Sequence, residues 1–390
     1  MGRATYVPIT GAVLKWALDE SGYSRADFLK KFKPAITSET LDAWIAESEQ
    51  PTKTQFSRMV EVLKRPSAMF FLAAPPAAAL PPNFRRAPGP KPRDVSPDER
   101  VAIRWALQIQ ESLRTSLVGS GADPVALPRA TPQTAPVAVA NDAREFLGVT
   151  IAEQRRWKDR NAAFKGWRDA FERAGIIVLN LELGKDALRG FSSPDDYAPL
   201  VAVNTWYNFA ARSYSLAHEL GHLVARRLSS CWGFAGPGDV GEAGSERWCE
   251  SFAAEFLLPR DAVREYLTGL DFQPTGMLAD LEFTEQLAKT FHVSARAAAL
   301  RLIQLGYSPD SLYGLVDAEF AVVDQKPVTK GGGGRNRVER RLAELGTRGV
   351  EVFVDGIHTG SLEKHESLRV LKMHPDEFPA LERRLMEKAS

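Results

Sequence analysis

The sequence predicts an α+β protein, and three observations carry that expectation. Helical periodicity dominates its length, two β-branched apolar runs of strand length (176–183 and 199–206) lie close together, and the helical segment after them carries two histidines one turn apart. The arrangement expected is an all-helical N-terminal domain, a central domain with a small sheet, and a small C-terminal α/β appendage. With 390 residues, 44% hydrophobic and 25% charged, the composition excludes a disordered, collagen-like or coiled-coil protein. Fifty basic residues against 49 acidic ones remove any general attraction to nucleic acid or an anionic membrane.

The elements follow in order. Residues 10–73 read as several short helices, and residues 1–75 as one domain. Prolines break the stretch 74–97 into a linker, and Val101, Trp105, Ile109 and Leu113 then mark a helix opened by Ser96 and Pro97, within a linker region of 76–136. The central domain, 137–320, holds helical sequence at 140–174, the two strands, helices at 212–228 and 245–258, and two more near 281–291 and 294–305. The tetraglycine at 331–334 is a flexible joint. The appendage, 330–390, shows a helix at 336–345, the strand-like run VEVFV at 350–354 and a final helix near 375–388, and its place after the joint suggests partner docking.

Only Cys231 and Cys249 are present, which points to free thiols in a reducing compartment. The first residues lack an unbroken apolar run and include Asp19 and Glu20, so no signal peptide is expected. The most apolar stretch, 67–82, is short and broken by prolines. A cytoplasmic protein without a membrane partner is expected.

The chemistry lies in His218-Glu219-Leu220-Gly221-His222. Histidines at i and i+4 share one helical face, so two neutral imidazoles can converge on one ion, and Glu219 is placed to take a proton from water. The competing reading is a plain amphipathic helix with two half-buried histidines bonded to carbonyls. A catalytic zinc site has three protein ligands, so a third must come from elsewhere. Glu242, Glu246 and Glu250 on the next helix are all candidates, and arithmetic alone does not choose among them. Two imidazoles plus one carboxylate suit Zn2+. Cys249, beside the ligand helix face, reads as a buried, inert thiol, and Arg212 and Tyr214 as structural residues.

Over 137–318 the chain resembles the ImmA/IrrE metallo-endopeptidases. The resemblance rests on Gly175-Ile176-Ile177-Val178, Arg189-Gly190-Phe191-Ser192, Val203-Asn204, Arg212-Ser213-Tyr214-Ser215, the HELGH segment, Phe252 to Pro259 and Leu287 to Ser294. It implies a zincin-like domain with Glu246 as third ligand and Glu250 as its support, in a position usually filled by asparagine or aspartate. A swap of those two roles stays open. The resemblance also implies zinc held by His218, His222 and Glu246, with Glu219 as catalytic base. In zincins an edge strand above the metal helix pairs with extended peptide, and Pro199–Trp206 is the strand considered for that role.

Residues 10–73 resemble Xre-type helix-turn-helix domains, through Ser24–Leu29, Trp44, Pro51-Thr52, Gln55 and Val62-Leu63. Ile45 and Glu47 depart from that pattern, the latter standing where a glycine is usual. The expected recognition segment, 38–49, carries Glu39, Asp42, Glu47 and Glu49 and no basic residue, which disfavours DNA. Lys30, Lys31, Lys33, Lys53 and Arg58 are left to grip a phosphate backbone. The resemblances together imply a zinc endopeptidase of a regulatory, stress-response or mobile-element circuit, cleaving a protein such as a helix-turn-helix repressor. The alternative is an antitoxin-like or transcriptional regulator whose zincin domain binds a partner such as a toxin.

Overall fold

The computed structural model describes residues 5–76, 83–85, 95–130, 134–185, 187–225, 242–270, 280–320 and 336–389, with side chains throughout except at 83–85, 242–247 and 388–389. Cys231, the glycine joint at 331–334 and most of the proline-rich linker therefore lie outside the described residues. The chain divides into two units, one of 1–81 with 88–104 and one of 82–87 with 105–390.

The first unit holds α1 (Gly11–Asp19), α2 (Arg25–Leu29), α3 (Ser38–Ile45), α4 (Lys53–Leu63) and a 3-10 turn at Ser67–Phe71. Val13, Leu14, Phe28, Leu41, Trp44, Met59 and Phe70 form its core. Thr52 starts α4 with a capping box, its hydroxyl and the Gln55 side chain each accepting a backbone N–H of the other residue. The acidic residues of 38–49 have internal work. Asp42 pairs with Arg25 at 2.5 Å, and the Glu47 carboxylate accepts the Gly11 N–H at 2.7 Å. Glu47 does so from a left-handed backbone (φ 59°), the conformation that makes glycine usual there.

The second unit begins with β1 (Asn83–Arg85) and takes the C-terminal part of α5 (Pro97–Gly119). It continues through α6 (Pro136–Leu147), α7 (Ile151–Arg156), α8 (Arg160–Arg173), β2 (Ile177–Leu181), β3 (Gly190–Ser193), β4 (Leu200–Asn204), α9 (Phe209–Val224) and α10 (Glu242–Leu257). Then come α11 (Arg260–Gly269), α12 (Leu281–Thr290), α13 (Ala295–Gln304), α14 (Ser311–Phe320), α15 (Arg337–Thr359), α16 (Lys364–Val370) and α17 (Phe378–Ala389). The α+β expectation is met by a mainly helical chain with a small mixed sheet in the order β1-β3-β4-β2, where β2 and β4 are parallel and the other pairs antiparallel. The core between sheet and helices includes Trp167, Phe171, Val178, Val201, Val203, Leu216, Leu220, Phe252 and Phe256. No helix among the described residues is long and apolar enough to cross a membrane.

Two sequence expectations are corrected. Pro199–Trp206 is not an edge strand: β4 lies between β3 and β2, and all five of its residues are buried. A continuous apolar run is what an interior strand needs. The run at 350–354 is helical, so the C-terminal segment has no strand among its described residues and is not α/β. Gly349, Val350, Phe353 and Gly356 lie on one buried helical face, and that packing overrides the β-propensity of three valines and a phenylalanine.

α15 packs on β2 and α8 and breaks at Gly346 (φ 77°). The break strips carbonyls of their helical donors, and α8 and β2 replace them. Arg168 donates to the Ala343 carbonyl at 3.0 Å and the Glu344 carbonyl at 3.3 Å, and Asn180 donates to Ala343 at 3.1 Å. Glu172, whose pKa burial raises against the pull of Arg168, accepts the Arg348 N–H at 3.3 Å. A Cβ at position 346 would sit 2.0 Å from the Glu172 carboxylate, so only glycine fits.

Glu255 joins α10 to α11 and α13. One oxygen accepts the Arg260 N–H at 2.9 Å, and the other bonds the Arg301 guanidinium. Burial raises its pKa, but the hydrogen bonds from Arg301 and the Arg260 backbone, with both positive charges, pull it below the ordinary glutamate value. A depressed carboxylate stabilises the fold above its unfolded pKa of about 4.3 and loses that contribution as pH falls through the folded value. Glu255→Gln is expected to cost about 3 kcal/mol near neutral pH, because Arg301 is left buried without its counter-charge. The difference from wild type should narrow as pH drops below about 4 in urea unfolding; a gap constant with pH would refute the assignment.

Candidate metal centre

The turn from β4 into α9 sets where the helix begins. Asn208 caps it, accepting the Ala211 N–H at 2.9 Å. Arg212 ties the turn down by donating to the Tyr207 carbonyl at 2.7 Å and to the Thr205 carbonyl, with its guanidinium over the Phe209 ring. Burial pulls its pKa down to about 10, which still leaves it charged near neutrality. Only Phe209, Ala211, Arg212 and Tyr214 of α9 escape burial, so the helix runs through the domain interior.

His218 and His222 bring their Nε2 atoms within 3.1 Å of each other, with His218 fully buried and His222 nearly so. Two ligands of a tetrahedral zinc with bonds of about 2.05 Å stand about 3.3 Å apart, so the pair fits two corners of that coordination sphere. The Cys249 sulfur lies 3.5 Å from the His222 Nδ1 and fixes that ring with Nε2 facing His218. The Tyr214 ring stacks near His218, 6.4 Å between centroids.

Glu219 is fully buried, and its Oε2 accepts a hydrogen bond from the Ser192 hydroxyl at 3.0 Å. Gly190, two residues back on the same strand, lets β3 close on β4 beside it. A Cβ there would meet the Ala202 carbonyl at 2.7 Å and the Glu219 carboxylate at 3.5 Å. On the other side, Gly221 lets α10 approach: a Cβ would lie 3.1 Å from Phe252 and 3.3 Å from the Cys249 backbone.

Of the sequence-expected residues, the structure brings His218 and His222 together and puts Glu219 beside them in the chain, held from β3. Glu250 is exposed. Glu242 and Glu246 belong to α10, but their side chains lie outside the described residues. Among the described residues no third histidine, cysteine or carboxylate joins the pair to complete a metal-binding group. Sequence reading gave no role to Ser192, Gly190 or Gly221 and treated Cys249 as inert. The Arg189–Ser192 and HELGH segments contain the first three, but their work depends on contacts with residues distant in sequence.

The peptidase M78 family, described as the IrrE N-terminal-like domain, matches residues 171–302, about a third of the chain. That span contains all of β2 to β4, α9 and α10. None of the curated proteins matches the chain.

Removing the sulfur should loosen the His222 ring without touching a ligand. Cys249→Ala is expected to weaken zinc binding about 10-fold in competition with a chelator, and Cys249→Ser to recover part of the loss. Unchanged affinity in both variants would deny Cys249 a positioning role.

Proposed function

We propose that this chain is a zinc-dependent endopeptidase acting on a protein of a regulatory circuit. The M78 match supports a zinc metallopeptidase-like regulatory protein, and the observation that carries the reading is the pair of buried imidazole Nε2 atoms 3.1 Å apart. We assign His218, His222 and Glu246 as the zinc ligands; the exposure of Glu250, one residue past buried Cys249, favours Glu246 for the third place. Zinc there supplies a Lewis acid and makes water a better nucleophile near neutral pH.

The remaining work falls to the chain's own groups. Glu219 accepts the proton of the attacking water and returns it to the leaving nitrogen. The Ser192 hydroxyl holds one carboxylate oxygen, which limits the rotamers Glu219 can adopt. The scissile segment is an extended stretch of protein that adds to the β3 side of the sheet through main-chain hydrogen bonds. A helix-turn-helix repressor is the substrate class carried over from the family resemblance. For the N-terminal helices we retain a regulatory role in preference to DNA binding, because α3 presents no basic residue and its Asp42 pairs with Arg25.

Glu219→Gln is expected to keep one zinc per chain by metal analysis while slowing digestion of labelled casein at least about 100-fold. His218→Ala should lose the metal and the activity together. A Glu219→Gln chain that digests casein at the wild-type rate would end this mechanism.

A further inference from the structure

β3 has two edges. One pairs with β4, and the other is taken by β1, three residues from the proline-rich stretch that precedes α5. The pairing is antiparallel, with Asn83 opposite Ser192, Phe84 opposite Phe191 and Arg85 opposite Gly190. Two of those three β3 residues are the ones that build the surroundings of Glu219. The Ser192 hydroxyl bonds its carboxylate, and a Cβ at Gly190 would lie 3.5 Å from it. The chain's own extended segment therefore runs along the strand that holds the base, backbone to backbone.

We propose that Asn83–Arg85 is an intrinsic blocking segment, an extended stretch of this chain that occupies the sheet edge where a substrate peptide must pair. The proposal rests on the endopeptidase reading for the identity of the competitor, but the occupancy stands on the strand register alone. Main-chain pairing is tolerant of sequence, so a short segment serves as well as a substrate. Three residues pair weakly by themselves. Tethering raises their effective concentration to about the millimolar range, enough to exclude a free peptide of modest affinity. The prolines around the segment favour extended backbone and keep it from folding into a helix. Covering an edge strand to prevent aggregation would use the same pairing, and the test separates that purely structural role from a block.

The triple variant N83P/F84P/R85P removes every N–H the segment can donate while keeping it extended, and deletion of 83–85 is the second variant. Each is made in the full chain carrying Glu219→Gln, so binding is read without cleavage. The probe is a fluorescein-labelled peptide with the chain's own sequence Pro-Pro-Asn-Phe-Arg-Arg-Ala (residues 81–87). Both variants are expected to bind it at least about 10-fold more tightly than the Glu219→Gln parent by anisotropy, with faster amide exchange at residues 190–193 when no peptide is present. Equal affinity in all three chains, or unchanged exchange, overturns the proposal. So does loss of the folded state in both variants, which would make β1 a structural strand. With Glu219 intact, the variants should digest labelled casein about 10-fold faster than wild type; a cut of the wild-type chain within 77–94 would make the segment a substrate and overturn the block. Tighter peptide binding without casein digestion by any chain would fault the endopeptidase reading and leave the occupied edge standing.

Discussion

The site depends on how closely α10 can approach α9 at Gly221. With no side chain at that position, the Cys249 backbone and the Phe252 ring come to where a Cβ would be crowded, 3.1–3.3 Å away. That approach brings the Cys249 sulfur to the far nitrogen of the His222 ring and turns the near nitrogen toward His218. It also seats Phe252 and Phe256 in the same core as Leu216 and Leu220, so the hydrophobic burial that stabilises the domain sets the ring geometry too. A larger residue at 221 would separate the helices and move the second candidate ligand helix away from the histidines.

A second contact holds Glu219. Glu219 is a carboxylate buried in the domain interior, which is costly unless hydrogen-bonded, and Ser192 supplies a bond from a different element. Gly190 lets that strand pack tightly on β4, where a Cβ would meet the Ala202 carbonyl at 2.7 Å. A strand hydroxyl on one flank of the helix and a cysteine sulfur on the other thus contact Glu219 and His222. Polar groups with such buried, specific partners hold their rotamers through packing, which is what preorganised chemistry requires.

The same economy of contacts explains features far from the site. Glu47 accepts a left-handed backbone in exchange for capping the first turn of α1. Arg168 and Asn180 satisfy carbonyls that the Gly346 break in α15 leaves without helical donors, which binds the C-terminal helices to α8 and β2. In each case a local rule of backbone conformation is broken, and a partner distant in sequence makes the break tolerable.

Much of this was legible beforehand. The spacing of His218 and His222 puts two imidazoles on one face of any helix, and β-branched runs at 176–183 and 199–206 become β2 and β4, because these features depend on local periodicity. The valine-rich run at 350–354 misled, since its burial is on a helical face shared with Gly349 and Gly356. The interior position of β4, the hold of Ser192 on Glu219, the sulfur behind His222 and the pairing of Asn83–Arg85 with β3 were beyond sequence reading. Each joins residues separated by tens of positions, and only the folded backbone, by fixing which elements touch and in which register, brings them within reach of one another.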